Sequence, residues 1–214
     1  MAVDRQTVVG VLGAGTMGSG IAQVAAAAGH RVILADVFAG AADKARIAHT
    51  KSIGREVEKG RLSADAAAAL LGRIEYHTLA PGDFLPFGPA GLVIEAVVED
   101  LEVKRATFRH LENVLTRDAV IGTNTSSLSV TAIAAGCDHP QRVIGIHFFN
   151  PAPVLPLVEI VPGVATDPAV TESTRALVDS WGKTTVLASD TPGFIVNRVA
   201  RPFYGEALRI FEEG

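Results

Sequence analysis

Cysteine is nearly absent. Cys137 is the one thiol in 214 residues, which excludes a disulfide framework and a cysteine-rich metal site and points to a reducing, cytoplasmic setting. Long apolar runs are missing too. No stretch reaches the roughly 18 residues of a membrane-spanning helix. The N-terminus enters a strand pattern within a few residues, without the basic start and separate apolar segment of a signal peptide. The net charge is −4 and no basic cluster is present, so neither nucleic acid nor a membrane is expected as a partner. No two histidines stand at i, i+4, and no metal is expected. What remains is 48% hydrophobic and 20% charged, the composition of a globular protein. The length suits one large domain, or one domain plus part of another.

Against these absences stands the stretch Val8-Val9-Gly10-Val11-Leu12-Gly13-Ala14-Gly15-Thr16-Met17-Gly18. It reads as a buried strand, a glycine turn and the first turn of a helix, with G-x-G-x-x-G spacing at Gly13, Gly15 and Gly18. Gly13 permits the tight turn, Gly15 lets a pyrophosphate approach the backbone, and Gly18 lets the helix pack on the strand. The helix N-terminus offers free N–H groups to phosphate. In a chain with 21 glycines such spacing also arises by chance, so context decides. An Ala-rich helical run, Ile21 to Ala28, follows and stops at Gly29. A second strand, Arg31 to Ala35, then ends in Asp36. An acid about 20 residues past the loop is placed to accept hydrogen bonds from an adenosine ribose and repels a 2′-phosphate, so NAD is expected over NADP.

Strand and helix patterns then alternate, which predicts an α/β fold, a Rossmann-type doubly wound, mostly parallel sheet. Helices are expected over Ala41–Lys59, from Ser63 as N-cap, over Leu101–Leu115, over Ser129–Ala135 and over Asp167–Trp181. Strands are expected at Ile74–His77, Gly91–Val98, Ala119–Thr123, Val143–His147, Leu157–Val161 and Thr184–Leu187. Three prolines and two glycines make Ala80–Pro89 a loop. Residues 1–190 thus read as a dinucleotide-binding domain. Residues 191–214 differ: after Pro192-Gly193, a helix pattern carries an apolar stripe (Ile195, Val199, Phe203, Leu208, Phe211) that needs a partner surface. This segment is expected to be the first helix of a truncated, all-helical second domain.

In an open parallel sheet, ligands bind beyond the carboxyl ends of the strands. Glu99 and Lys104, the polar run Thr123–Ser127, and His147 with Phe148, Phe149, Asn150 and Pro151 all follow strand ends. Taken alone, His147 reads first as a buried histidine satisfied by one hydrogen bond. Beside a nucleotide site it is a candidate general base, because oxidising an alcohol releases a hydride to the nicotinamide and a proton that the protein must accept. Histidine titrates near neutrality, and a carboxylate partner fixes its tautomer. Glu159 is the nearest candidate, against the alternative of a strand-edge acid facing solvent. Ser126 is either a turn residue or a group presented to a substrate oxygen. Asn197 is either a polar contact or a solvent-facing residue on the last helix. His30, His49, His77, His110 and His139 lie on polar or turn segments and are expected to be solvated.

These residues together resemble one family, the L-3-hydroxyacyl-CoA dehydrogenases. The matches are Gly-Ala-Gly-Thr-Met-Gly at 13–18, Val-Ile-Glu-Ala-Val-Val-Glu at 93–99, Asn-Thr-Ser-Ser-Leu at 124–128, Gly-Ile-His-Phe-Phe-Asn-Pro at 145–151 and Asp-Thr-Pro-Gly-Phe-Ile-Val-Asn-Arg at 190–198. The resemblance implies His147 as base, Glu159 as its carboxylate partner, Ser126 at the substrate 3-oxygen and Asn197 near the reacting carbon. It implies NAD contacts at Gly13, Gly15, Thr16, Met17, Gly18, Asp36, Glu99, Lys104 and Asn124. It implies acyl-CoA contacts at Ser52, Lys59, Ser126 and Asn150. Substrates would be 3-hydroxybutyryl-CoA or 3-hydroxyadipyl-CoA, and full-length members are expected to be homodimers. A relative with the same cofactor domain oxidises free sugar acids such as gulonate, and a lens-crystallin branch is non-catalytic. Retention of His147, Glu159, Ser126 and Asn197 together argues against the latter.

Overall fold

Four buried residues, Val9–Leu12, form β1, and the chain turns at Gly13 into α1, Thr16–Ala27. The structure, a computed structural model, describes residues 3–4 and 6–214. The order continues as β2 (Val32–Asp36), α2 (Ala41–Glu58), α3 (Ala64–Leu71), β3 (Ile74–Thr78), β4 (Leu92–Glu95), α4 (Leu101–Val114), β5 (Val120–Thr123), α5 (Val130–Ala134), β6 (Val143–Phe148), β7 (Leu157–Pro162), α6 (Pro168–Ser180), β8 (Thr184–Leu187) and α7 (Val196–Glu213). The expected loop at Ala80–Pro89 contains one short 3₁₀ turn, Leu85–Phe87.

Eight strands make one sheet in the order β3-β2-β1-β4-β5-β6-β7-β8. From β3 to β6 all pairs are parallel. The strand order reverses between β1 and β4, so the loops leaving their carboxyl ends part to opposite faces and open a crevice. Alternate residues of each strand feed two cores. Val9, Val11, Val32, Leu34, Leu92 and Ile94 face α1 and its neighbours. Leu12, Ile33, Ala35 and Val93 face the side of α4. Burial on both faces explains why these strands read as unbroken apolar runs.

The exception to parallel pairing is β7, which runs antiparallel to β6. The connection Phe149–Pro156 holds no helix, and a parallel crossover needs about a dozen residues or more, so the chain doubles back. Helix starts follow local chemistry: Ser63, Asp100, Ser129 and Asp167 each accept a backbone N–H at their helix N-terminus. α7 has no buried residue, and its stripe is exposed, with Val199 72% and Phe211 84% accessible. Among the described residues, no helix is long and apolar enough to cross a membrane.

Candidate active site

Two clefts open at the carboxyl ends of the strands. The first, about 510 Å³, is lined by Gly13, Gly15, Asp36, Phe38, Val98 and His110, among others. The second, about 450 Å³, gathers Met17, Asn124, Ser126, His147, Asn150 and Asn197. Ala96, just beyond β4, lines both. One elongated ligand laid across the strand ends would occupy the two in succession.

The glycines at the first cleft divide by task. Gly13 has φ +100°, a conformation that side chains rarely adopt, and a Cβ on Gly18 would stand 1.7 Å from the Gly13 carbonyl oxygen. Both are required by the turn itself. A Cβ on Gly15 would meet nothing within 4 Å, so the space beside it is free for a ligand. Gly15 is the N-cap of α1 and no side chain caps that helix, which leaves first-turn N–H groups available to an anion. Asp36 accepts from the N–H groups of Ala14 at 2.7 Å and Phe38 at 2.9 Å. It ties the glycine turn to β2 and keeps spare lone pairs, since each carboxylate oxygen has two.

In the second cleft, antiparallel pairing sets His147 of β6 directly opposite Glu159 of β7. Their side chains meet at 2.6 Å between Nδ1 and Oε2. Glu159 is fully buried, so it is no solvent-facing edge acid. Its other oxygen, Oε1, accepts from the N–H groups of Ile195 and Val196 at the start of α7, at 2.9 and 2.8 Å. A carboxylate only accepts, so Nδ1 of His147 donates, and in the neutral imidazole Nε2 is then the nitrogen with the lone pair. Phe149 and Phe194 flank the imidazole, with ring centroids 4.5 and 5.7 Å away. Across the cleft, the Asn197 side-chain amide donates to the Ser126 carbonyl at 3.2 Å. Asn124 Oδ1 accepts from Phe148 N at 2.8 Å, joining the ends of β5 and β6.

The floor beneath is ionic. Lys104 is 1% exposed and donates to Glu95 Oε1 at 2.6 Å, with Glu99 Oε2 at 3.4 Å. Glu95, fully buried, also accepts from Val97 N and the Thr123 hydroxyl. Glu99 Oε1 gathers the Thr125 hydroxyl at 2.5 Å and the Ser126 and Ser127 N–H groups at 2.9 and 3.2 Å. Burial pushes the Glu99 carboxyl up, but the Thr125 hydroxyl, the Lys104 ammonium and the Ser126 N–H outweigh it and hold it below the ordinary carboxylate range. The loop that carries Ser126 is therefore folded around a charged carboxylate.

The sequence over residues 8–191 matches the model of the NAD-binding domain of 3-hydroxyacyl-CoA dehydrogenases. The chain belongs to that family. It is 48% identical to a 3-hydroxyadipyl-CoA dehydrogenase of Escherichia coli over 100% of its own length and 44% of the relative's. It is 42% identical to a 3-hydroxybutyryl-CoA dehydrogenase of Bradyrhizobium diazoefficiens, covering 96% of this chain and 69% of that protein. A crystal structure of an Escherichia coli 3-hydroxybutyryl-CoA dehydrogenase superposes with a TM-score of 0.92 at 47% identity, over 99% of this chain and 44% of the other. The chain thus spans less than half of the first of these relatives. NAD is the cofactor of this family domain, and the residues fit it: an open Gly15, uncapped N–H groups on α1, and Asp36 at the end of β2.

In this dehydrogenase-family fold, most of the expected site residues converge and some do not. His147, Glu159, Ser126, Asn197, Asn124, Asn150 and Met17 gather at or beside one cleft. Thr16 is exposed at the start of α1. Lys104 lines neither cleft; its charge is engaged by Glu95 and Glu99 beneath. Ser52, on α2, hydrogen-bonds Gln23 of α1 and the His49 carbonyl, Lys59 is exposed beside Glu56 at 3.8 Å, and neither lines the two clefts.

Two histidines correct the expectation of solvation. His30 and His49 are 2% and 1% exposed. His30 lies between the Thr7 carbonyl and the Trp181 indole N–H, both at 2.8 Å. His49 bridges Ser19 and the Tyr76 hydroxyl, also at 2.8 Å. Burial pushes the His49 imidazole down and the Tyr76 phenol up to about 12. Their partners come from distant elements, which local polarity does not reveal. Reading by residue type also passed over Glu95, whose signal was a charge inside an apolar strand, and Arg201, which lines the second cleft one helical turn after Asn197.

Proposed function

We propose that this protein catalyses NAD-dependent oxidation of the 3-hydroxyl of an L-3-hydroxyacyl-CoA to the 3-ketoacyl-CoA, with His147 as general base oriented by Glu159. The observation that carries the reading is the buried 2.6 Å hydrogen bond from His147 to Glu159 in a cleft shared with Ser126 and Asn197. NAD, when bound, supplies the acceptor for the hydride that leaves C3. The remaining work falls to side chains. Nε2 of His147 takes the hydroxyl proton as the C3–O bond becomes a carbonyl. Glu159 holds the tautomer that leaves Nε2 basic and stabilises the imidazolium that results. The Ser126 hydroxyl and the Asn197 amide orient the substrate oxygen and the reacting carbon. Phe149 and Phe194 limit water around the imidazole, which strengthens these contacts. The substrates in the names of the two curated relatives, 3-hydroxyadipyl-CoA and 3-hydroxybutyryl-CoA, are the first to test.

The test is consumption of NADH with acetoacetyl-CoA, run beside free acetoacetate, and gulonate with NAD. Turnover of the thioester alone supports the reading. Turnover of gulonate, or NADH binding with no thioester turnover by the protein in the full length in which it is made, overturns it.

A further inference from the structure

Arg201 is not used by the mechanism above, although it faces the same cleft as His147, Ser126 and Asn197. It is the permanent cation among the side chains lining that cleft. Of the three arginines on α7, Arg198 donates to Thr191 and Arg209 pairs with Glu206. Arg201 has no such partner among the described residues. The acid on the opposite wall, Glu99, is taken up by Thr125, Ser126, Ser127 and Lys104. An arginine left without a partner at a reaction cleft is suited to a planar anion brought by the ligand.

We propose that Arg201 is a specificity-determining residue of the cleft, selecting 3-hydroxyacyl thioesters whose chain ends in a carboxylate a few bonds beyond C3. The inference rests on the thioester-oxidation reading above and names its substrate class. Asn197 and Arg201 stand at i and i+4 on one face of α7, roughly 6 Å apart along the axis. An acid group three C–C bonds from C3, joined to a guanidinium by one hydrogen bond, spans about 7 Å, a reach that the long Arg201 side chain, one turn along from Asn197, can meet. Other anions of the ternary complex lie elsewhere. The cofactor phosphates belong at the Gly13–Gly18 turn, in the first cleft, and the coenzyme A phosphates are separated from C3 by the whole pantetheine arm.

The experiment compares kcat/KM for 3-hydroxyadipyl-CoA with that for 3-hydroxyhexanoyl-CoA. The two have equal chain length and differ in a carboxylate against a methyl at C6. The protein is used in the full length in which it is made, alongside Arg201→Leu and Arg201→Lys. The wild type is expected to favour the carboxylate substrate by about tenfold, the scale of one charge-assisted pair at a partly open site. Arg201→Leu brings the ratio to near one, mainly through KM, and Arg201→Lys restores part of it. A general loss of folding or positioning lowers both substrates together and leaves the ratio intact. A wild-type ratio near one, or a ratio unmoved by Arg201→Leu, overturns the assignment. Failure of both thioesters to turn over while NADH still binds overturns the oxidation reading and this one with it.

Discussion

Replacing Glu159 by Gln removes one charge and almost no volume at a fully buried position, and the consequence follows from counting donors. The carboxylate accepts from three: His147 Nδ1, Ile195 N and Val196 N. An amide has one accepting oxygen and one donating nitrogen. If the oxygen keeps the two N–H groups of α7, the amide NH₂ faces Nδ1 and His147 must switch tautomer. Nε2 then carries the proton, and the base is lost from the cleft. If the amide is turned, the NH₂ meets two backbone donors, which are left buried and unpaired at about 1–3 kcal/mol each. The first arrangement is the cheaper and prevails, costing about 1–3 kcal/mol as charge-assisted hydrogen bonds become neutral ones. Activity suffers more. Loss of the correct tautomer lowers kcat by about 10²–10⁴-fold, or roughly 3–5 kcal/mol of transition-state stabilisation. The assay is NADH consumption at saturating acetoacetyl-CoA beside thermal unfolding. His147→Ala and the double variant complete a cycle, which is expected to be strongly non-additive because the two residues act as one unit. A Glu159→Gln protein with kcat within about threefold of wild type, or additive losses in the double variant, would refute the reasoning.

Other predictions rest on different parts of the fold. Gly15→Ala is expected to leave the melting temperature unchanged and weaken NADH binding by at least about tenfold. Gly18→Ala, whose Cβ would stand 1.7 Å from the Gly13 oxygen, is expected to destabilise the fold by several kcal/mol; equal melting temperatures for the two would contradict the division of tasks. Lys104→Met leaves Glu95 buried without its cation and is expected to cost about 3–5 kcal/mol in urea unfolding, with part of the loss recovered by adding Glu95→Gln. Asp190 accepts from the Ser129 hydroxyl and from the N–H groups of Val130 and Thr131, each at 2.8 Å. Burial pushes this carboxyl up, and those hydrogen bonds outweigh it and hold it below its ordinary value. A lowered folded pKa means stability that is present above the unfolded value and lost as pH falls through the folded one. Asp190→Asn is therefore expected to flatten the acid limb of stability against pH below about pH 4, a change readable in melts from pH 7 downward.

Much of this protein was readable along the chain. The glycine turn, Asp36 at the end of β2, the N-cap at Ser63, and the alternation of apolar strands with helices all arise from neighbours in sequence. Their chemistry acts over a few residues, through φ preferences, capping hydrogen bonds and the 2.0 and 3.6 periods of strands and helices. Family motifs added candidate roles for His147, Glu159, Ser126 and Asn197, but not their geometry.

The rest depended on pairing between distant segments. Nothing near Glu159 in the chain says whether it meets solvent or His147. The short, helix-free return from β6 forces β7 to run antiparallel, and that register alone brings the two side chains to hydrogen-bond distance. His49 lies on a polar helix and is buried because Ser19 and Tyr76 arrive from α1 and β3. Only the turn from β4 into α4 shows that Lys104, expected as a cofactor contact, is buried with its charge against Glu95. Arg201 was one more charge on an amphipathic helix until Glu159 accepted the first N–H groups of α7 and the fold set Arg201 in the lining of the second cleft. Local backbone preference is a property of adjacent residues, whereas the environment of a charge is set by whatever the topology packs against it.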